Sequence, residues 1–139
     1  MPADVTIGYS RTPLAKKLGI KEGNRVLLVA APRGYEQLVA PLPRDVHFED
    51  NPCQAVAIAH VFVTWKKDLQ KRLAALRKNL NSEAPIWVSW PKKSAQVPTD
   101  ITESTIREVA LPLGFIDVKV CAVTEVWSGL KLVLREEFR

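Results

Sequence analysis

Three apolar runs constrain the fold more than anything else in the chain: residues 25–31, 55–63 and 86–90. None alternates apolar with polar positions, as a strand with one wet face would, so each reads as a strand covered on both sides. Turn chemistry bounds them, with Lys21-Glu-Gly-Asn before the first, Pro32-Arg-Gly after it, Asn51-Pro52 before the second, and Pro85 and Pro91 around the third. The longest run holds nine residues and is interrupted by His60. That is far short of the ~20 apolar residues a helix needs to cross a bilayer, and no membrane span is expected.

Strands of this kind need helices to cover them, and the intervening segments supply the pattern. Residues 65–80 carry Leu69, Leu73, Leu76 and Leu80 at spacings of four, three and four, with most of the lysines and arginines off that stripe. Thr64 stands where it can cap this helix. Residues 101–111 form a second helix with Ile106, Val109, Ala110 and Leu113 on its core face. Asp100 lies three residues before Glu103, the spacing at which each side chain satisfies the other's free N–H at a helix start. Thr12, Pro13 and Gly19 delimit a short leading helix, and residues 35–42 a brief one broken by Pro41 and Pro43. A short strand over 46–49 and a hairpin of 115–123 with 130–135, joined through Thr124 to Gly129, complete the set. The expectation is one α/β domain over residues 1–139, a mixed six-stranded sheet that is mostly parallel, ends in an antiparallel hairpin and carries helices on both faces.

In an open α/β sheet, ligands collect outside the carboxyl ends of the strands, beside helix N-termini. Arg33, Lys66, Lys67, Lys92, Lys93 and Ser94 are expected there, with Trp127 and Ser128 on a loop at the same edge. Two lysines in the first turn of a helix oppose its dipole by about 0.3–1 kcal/mol each, which calls for a compensating partner; an anionic ligand is one, and plain solvation is the other. Trp127 either stacks on a ligand ring or folds back over the sheet end. His60, inside the most apolar strand, reads as a hydrogen-bonded core histidine before it reads as a general base. Ser89, Ser94 and Ser128 show no evident His and Asp partners, and no catalytic residue is assigned. Cys53 and Cys121 are far apart without a CxxC, so no metal site or disulfide is expected. Lysines and arginines exceed acids by 20 to 15, a net charge of +5, which suits an anionic small molecule. Nucleic acid ranks behind it, because no recognised module is present. The first residues, Met-Pro-Ala-Asp-Val-Thr, have no leader pattern, and the cytoplasm is the expected compartment.

The strand order and ending resemble class I S-adenosylmethionine-dependent methyltransferases, a Rossmann-like fold, through the lead-in Leu18-Gly-Ile-Lys-Glu-Gly-Asn-Arg-Val-Leu and the terminal hairpin. The chain looks like a version shortened by one helix–strand unit after the second strand. It also resembles, over nearly its whole length, a family of short bacterial proteins known only as a domain of unknown function. The pieces that carry this are Gly8-Tyr-Ser-Arg-Thr-Pro-Leu, Trp90-Pro-Lys-Lys-Ser, Asp117-Val-Lys-Val-Cys-Ala-Val and Trp127-Ser-Gly-Leu-Lys. Glu49 falls where methyltransferases place the carboxylate that binds the ribose hydroxyls. The loop after the first strand, Ala30-Ala-Pro-Arg-Gly-Tyr, departs from their glycine-rich cofactor loop. The resemblance thus implies a protein of unknown function, a non-catalytic methyltransferase-like domain holding an anionic ligand or a partner at the carboxyl edge, with a working methyltransferase as the alternative. No cofactor is expected, S-adenosylmethionine being the one the resemblance allows.

Overall fold

The computed structural model describes residues 12–139. Residues 8–11 of the Gly8 motif, and the leader region, lie outside the described residues. Strands β1 (Arg25–Val29), β2 (His47–Glu49), β3 (Ile58–Phe62), β4 (Ile86–Pro91), β5 (Phe115–Ala122) and β6 (Trp127–Leu134) form one sheet in the order β2-β1-β3-β4-β6-β5. β1 to β4 are parallel, and β6 runs antiparallel between β4 and β5. The expected mixed α/β sheet of six strands is therefore present.

The apolar runs are explained by cover on both faces. Every residue of β3 and β4 is buried. On one face, Leu27, Val61, Val88 and Leu132 pack against Leu69, Leu73 and Leu76 of α3 (Lys66–Asn79) and against Ile106 and Val109 of α4 (Glu103–Ala110). On the other, Val26, Ile58, Phe62 and Trp87 meet α1 (Leu14–Leu18) and α2 (Tyr35–Val39). The Trp87 indole also donates to Leu18 O at 2.8 Å, which satisfies its N–H and anchors α1. Gly129, paired with Ser89, leaves room for this ring: a Cβ there would stand a tight 3.3 Å from the Trp87 ring and 3.0 Å from Val123. No helix among the described residues is long and apolar enough to cross a membrane.

Element ends differ from expectation where turns or distant contacts decide them. β1 stops at Val29 because Ala30 takes a left-handed turn, φ 57°. Residues 55–57 lead into β3 through a turn in which Val56 N–H donates to Cys53 O. β6 begins at Trp127, three residues early, because the Thr124 hydroxyl accepts the N–H groups of Val126 and Trp127 and tightens the hairpin. Both caps also change. Thr102 caps α4, its hydroxyl exchanging bonds with Thr105, while Asp100 reaches across to accept the N–H of Lys66, the first residue of α3, at 2.7 Å. Thr64 makes no such cap; its carbonyl accepts from Thr99 Oγ1. Asp100→Ala is expected to lower stability by about 0.5–2 kcal/mol in denaturant melts, through α3 and not through α4. Unchanged stability would mean that water replaces this carboxylate at no loss.

Candidate functional site

β1 leads through α2 to β2 on one side of it, whereas β3 and β4 continue on the other. The sheet therefore changes direction between β1 and β3, and the crevice outside their carboxyl ends is the place such sheets use for ligands. Two cavities flank it. One, about 560 Å³, lies between the β1–α2 loop and the end of β2 and is bordered by Leu28, Ala30, Pro32, Gly34, Phe48 and Asp50. The other, about 300 Å³, lies towards α3, with Asn51, Arg72 and Leu76. Leu28, Ala30 and Asp50 border both. The walls mix apolar and polar groups, Glu36, Gln37, Asn51 and Arg72 among the latter, and Asp50 is the carboxylate at the shared lip, one residue beyond the expected Glu49. Glu49 itself is held by Arg25, Nη1 to Oε2 2.6 Å.

The expected basic residues separate into groups. Arg33 is exposed on the β1–α2 loop. Lys66 is turned towards α4, its ammonium 3.1 Å from Glu108 Oε1, while its backbone N–H goes to Asp100. The anions that compensate Lys66 and its N–H are thus the protein's own, while Lys67 is exposed and has no ion pair with a described residue. Lys93 and Ser94 are exposed in a 3-10 turn, Lys93–Ala95, and Lys92 N–H donates to Val126 O at 2.7 Å. That bond, with the pairing of Pro91 to Trp127 and of Trp90 to Ser128, gathers Lys92, Lys93, Ser94, Trp127 and Ser128 at the β4–β6 end. Trp127 and Ser128 are strand residues, not loop residues as expected, because the tight turn starts β6 early. The Trp127 ring is half-buried and sits edge-on against Phe62, centroids 5.1 Å apart.

One polar constellation was not foreseen. His60 Nδ1 is 2.7 Å from the Tyr35 hydroxyl and its Nε2 is 2.7 Å from Ser89 Oγ, so α2, β3 and β4 are joined by a chain of three polar groups. Ser89 does have a histidine partner, contrary to expectation, because β3 and β4 pair in a register that sets Ser89 beside Phe62 and leaves its hydroxyl facing His60. The phenol takes the third place, and no carboxylate of a described residue is bonded to the imidazole. Burial lowers the His60 pKa to about 3, and burial with the nearby Cys121 thiol raises that of Tyr35, so the chain is neutral. Ser89 is 0% and His60 1% exposed, which closes this chain to any substrate. The sequence signal for it was one polar residue inside each of two otherwise apolar strands.

No protein-family model matches the chain, and no curated protein matches it in sequence. Solved structures do. An S-adenosylmethionine-dependent methyltransferase from Aquifex aeolicus superposes with a TM-score of 0.61 over 88% of each chain, at 15% identity. The fold is methyltransferase-like. Ribosomal protein L11 methylase from Lactobacillus delbrueckii subsp. bulgaricus gives 0.58 at 10% identity, over 88% of this chain and 76% of that one. The fibrillarin pre-rRNA processing protein of Methanococcus jannaschii gives 0.57 at 11%, over 91% and 70%. A methyltransferase-like fold raises the question of S-adenosylmethionine, and the residues at the end of β1 answer it in two halves. Leu28, Ala30, Pro32 and Phe48 offer a nucleoside apolar surface. The polar cradle does not fit: Pro32 has no N–H, Tyr35 N–H is turned back to Pro32 O at 3.2 Å, and the Glu49 carboxylate is occupied by Arg25. A Cβ on Gly34 would meet Gln37 Oε1 at an ordinary 3.7 Å, so what calls for glycine here is the left-handed turn at φ 81°.

Proposed function

We propose that this chain is a non-catalytic methyltransferase-like domain, one of the short bacterial cytoplasmic proteins it resembles in sequence, and that it holds a small anionic ligand at the carboxyl edge of its sheet. One observation carries the reading: the imidazole and hydroxyls of His60, Tyr35 and Ser89 are sealed and bonded to one another, which leaves carboxylates such as Asp50 as the proton-accepting groups open to the crevice, while exposed Arg33 and Lys93 have no ion pair with any described residue. What faces solvent there is suited to binding, with Ser94 adding a hydroxyl next to Lys93. Phosphate titrated into the labelled protein should shift the amides of Lys92, Lys93 and Ser94. Replacing Lys93, which is exposed, and the half-buried Lys92 by alanine should remove the shifts while thermal melts show the domain still folded; at the exposed position stability should change by within about 0.5 kcal/mol. Shifts that are absent, or that map to the opposite edge, would sink this reading.

A working S-adenosylmethionine-dependent methyltransferase is the second reading, supported by the crevice of about 560 Å³ with Asp50 at its lip. Calorimetry with S-adenosylmethionine separates the two. No heat of binding is expected, because the cradle lacks its donors; a saturable heat that Asp50→Ala abolishes would replace the first reading by the second.

A further inference from the structure

Of the four tryptophans, Trp65 alone is more than half in water: it is 51% exposed, against 0% for Trp87 and 8% for Trp90, with Trp127 half-buried. It directly precedes α3 and borders an open depression with Lys67, Asp68, Gln70 and Lys71. Three charges nearby are already answered, Lys66 by Glu108, and Asp68 and Arg72 by each other at 3.5 Å. The Lys67 and Lys71 side chains have no hydrogen bond or ion pair with any described residue. They lie four residues apart, hence on one face and about 6 Å apart along the axis. Like charges at this spacing repel, and Lys67 also sits in the first turn, where the dipole disfavours a cation. A large apolar ring left in water and two uncompensated cations share one flank of one helix.

We infer that this flank binds single-stranded nucleic acid, the Trp65 indole stacking on a base while Lys67 and Lys71 meet neighbouring phosphates. A polyanion relieves the repulsion and opposes the cations' unfavourable dipole term, and a base covers the ring; stacking on an aromatic side chain tolerates any sequence. A protein partner would also cover a tryptophan, but lysine is depleted at such interfaces, and two unpaired lysines beside the ring point away from one. A duplex offers no free base face. The net charge of +5 attracts the strand at long range. The surface is separate from the crevice at β1, and the inference does not rest on what that crevice holds.

The test titrates a short single-stranded oligouridylate into the full chain at low salt, following tryptophan fluorescence. Quenching is expected, with Trp65→Ala weakening affinity roughly 5- to 150-fold, the worth of one stacked base. Trp65→Phe should keep part of that affinity. With two phosphates neutralised, the log of affinity should fall with the log of salt at a slope of about −1.4. Lys67→Ala with Lys71→Ala should flatten that slope, and thermal melts of each variant establish that it is folded. Absence of binding, equal affinity of Trp65→Ala, or equal affinity for uridine monophosphate or for a duplex would overturn the proposal. Self-association that disappears in Trp65→Ala, with no binding of the oligonucleotide, would assign the flank to protein contact instead.

Discussion

Leu73→Ala is expected to destabilise the domain by about 2–5 kcal/mol, the range for removing a fully buried leucine whose surroundings relax only in part. Leu73 is 0% exposed and lies mid-stripe between Leu69 and Leu76, all three in the core cluster that joins α3 to β1, β3, β4 and β6. The strands beneath are held by pairing on both sides, so they cannot move up to fill the space. Lys71→Ala, two residues away on the exposed flank, is the control and should stay within about 0.5 kcal/mol. Denaturant melts of the two variants check this. A loss below about 1 kcal/mol for Leu73→Ala would mean that the cavity collapses and that α3 is less firmly seated than its buried stripe implies.

That stripe was legible because a helix over a sheet must repeat apolar residues every three or four positions, and the runs behind β1, β3 and β4 were legible because cover on both faces forbids alternation. The ends were not. Ala30 carries no glycine or proline signal for its left-handed turn, and β6 starts early because the Thr124 hydroxyl ties the hairpin, a contact no periodicity encodes. The caps show the same boundary between local and distant information. Asp100 and Glu103 match the local capping spacing, yet the fold uses Asp100 on a helix whose first residue is 34 positions away in sequence. A window of a dozen residues cannot contain that bond.

The candidate site was legible as an edge but not as a set of partners. Strand direction alone places Arg33, Glu49, Lys66, Lys92 and Lys93 at carboxyl ends, but which cations are already neutralised depends on side chains from other elements, Glu108 on α4 for Lys66 and Arg25 on β1 for Glu49. The tryptophans depend on distant contacts for a related reason, and of the two positions open to Trp127 it takes the one folded back over the sheet end. Trp127 sits after a turn in sequence and yet pairs with Pro91 and covers Phe62, while Trp65 abuts the best helix of the chain and faces water. Ser89 and His60 are 29 residues apart, and only the β3–β4 register brings them within 2.7 Å.

That buried chain sets the acid limit of the fold. In the unfolded protein His60 takes up its proton around the ordinary value of 6.5, whereas in the fold burial holds its pKa down to about 3. Between those values the unfolded state binds more protons, so stability falls as the pH falls through that window and the full contribution is present only above it. The loss attributable to this one imidazole is about 2 kcal/mol at pH 5 and about 3 kcal/mol at pH 4, relative to pH 7.5. The groups bonded to His60 are the Tyr35 and Ser89 hydroxyls, and the rings beside it are those of Tyr35 and Phe62, so no carboxylate among them would stabilise an imidazolium. Charging it would also force one hydroxyl to lose its acceptor, since a neutral ring offers one N–H and one lone pair while the cation offers two N–H groups. His60→Gln keeps a polar side chain between the two hydroxyls and removes the titration. Denaturant melts at pH 7.5, 5 and 4 should therefore show a steeper acid loss in the native protein than in the variant, by those amounts. Parallel losses would show that the imidazole accepts its proton inside the fold, with the Tyr35 and Ser89 bonds rearranging to receive it.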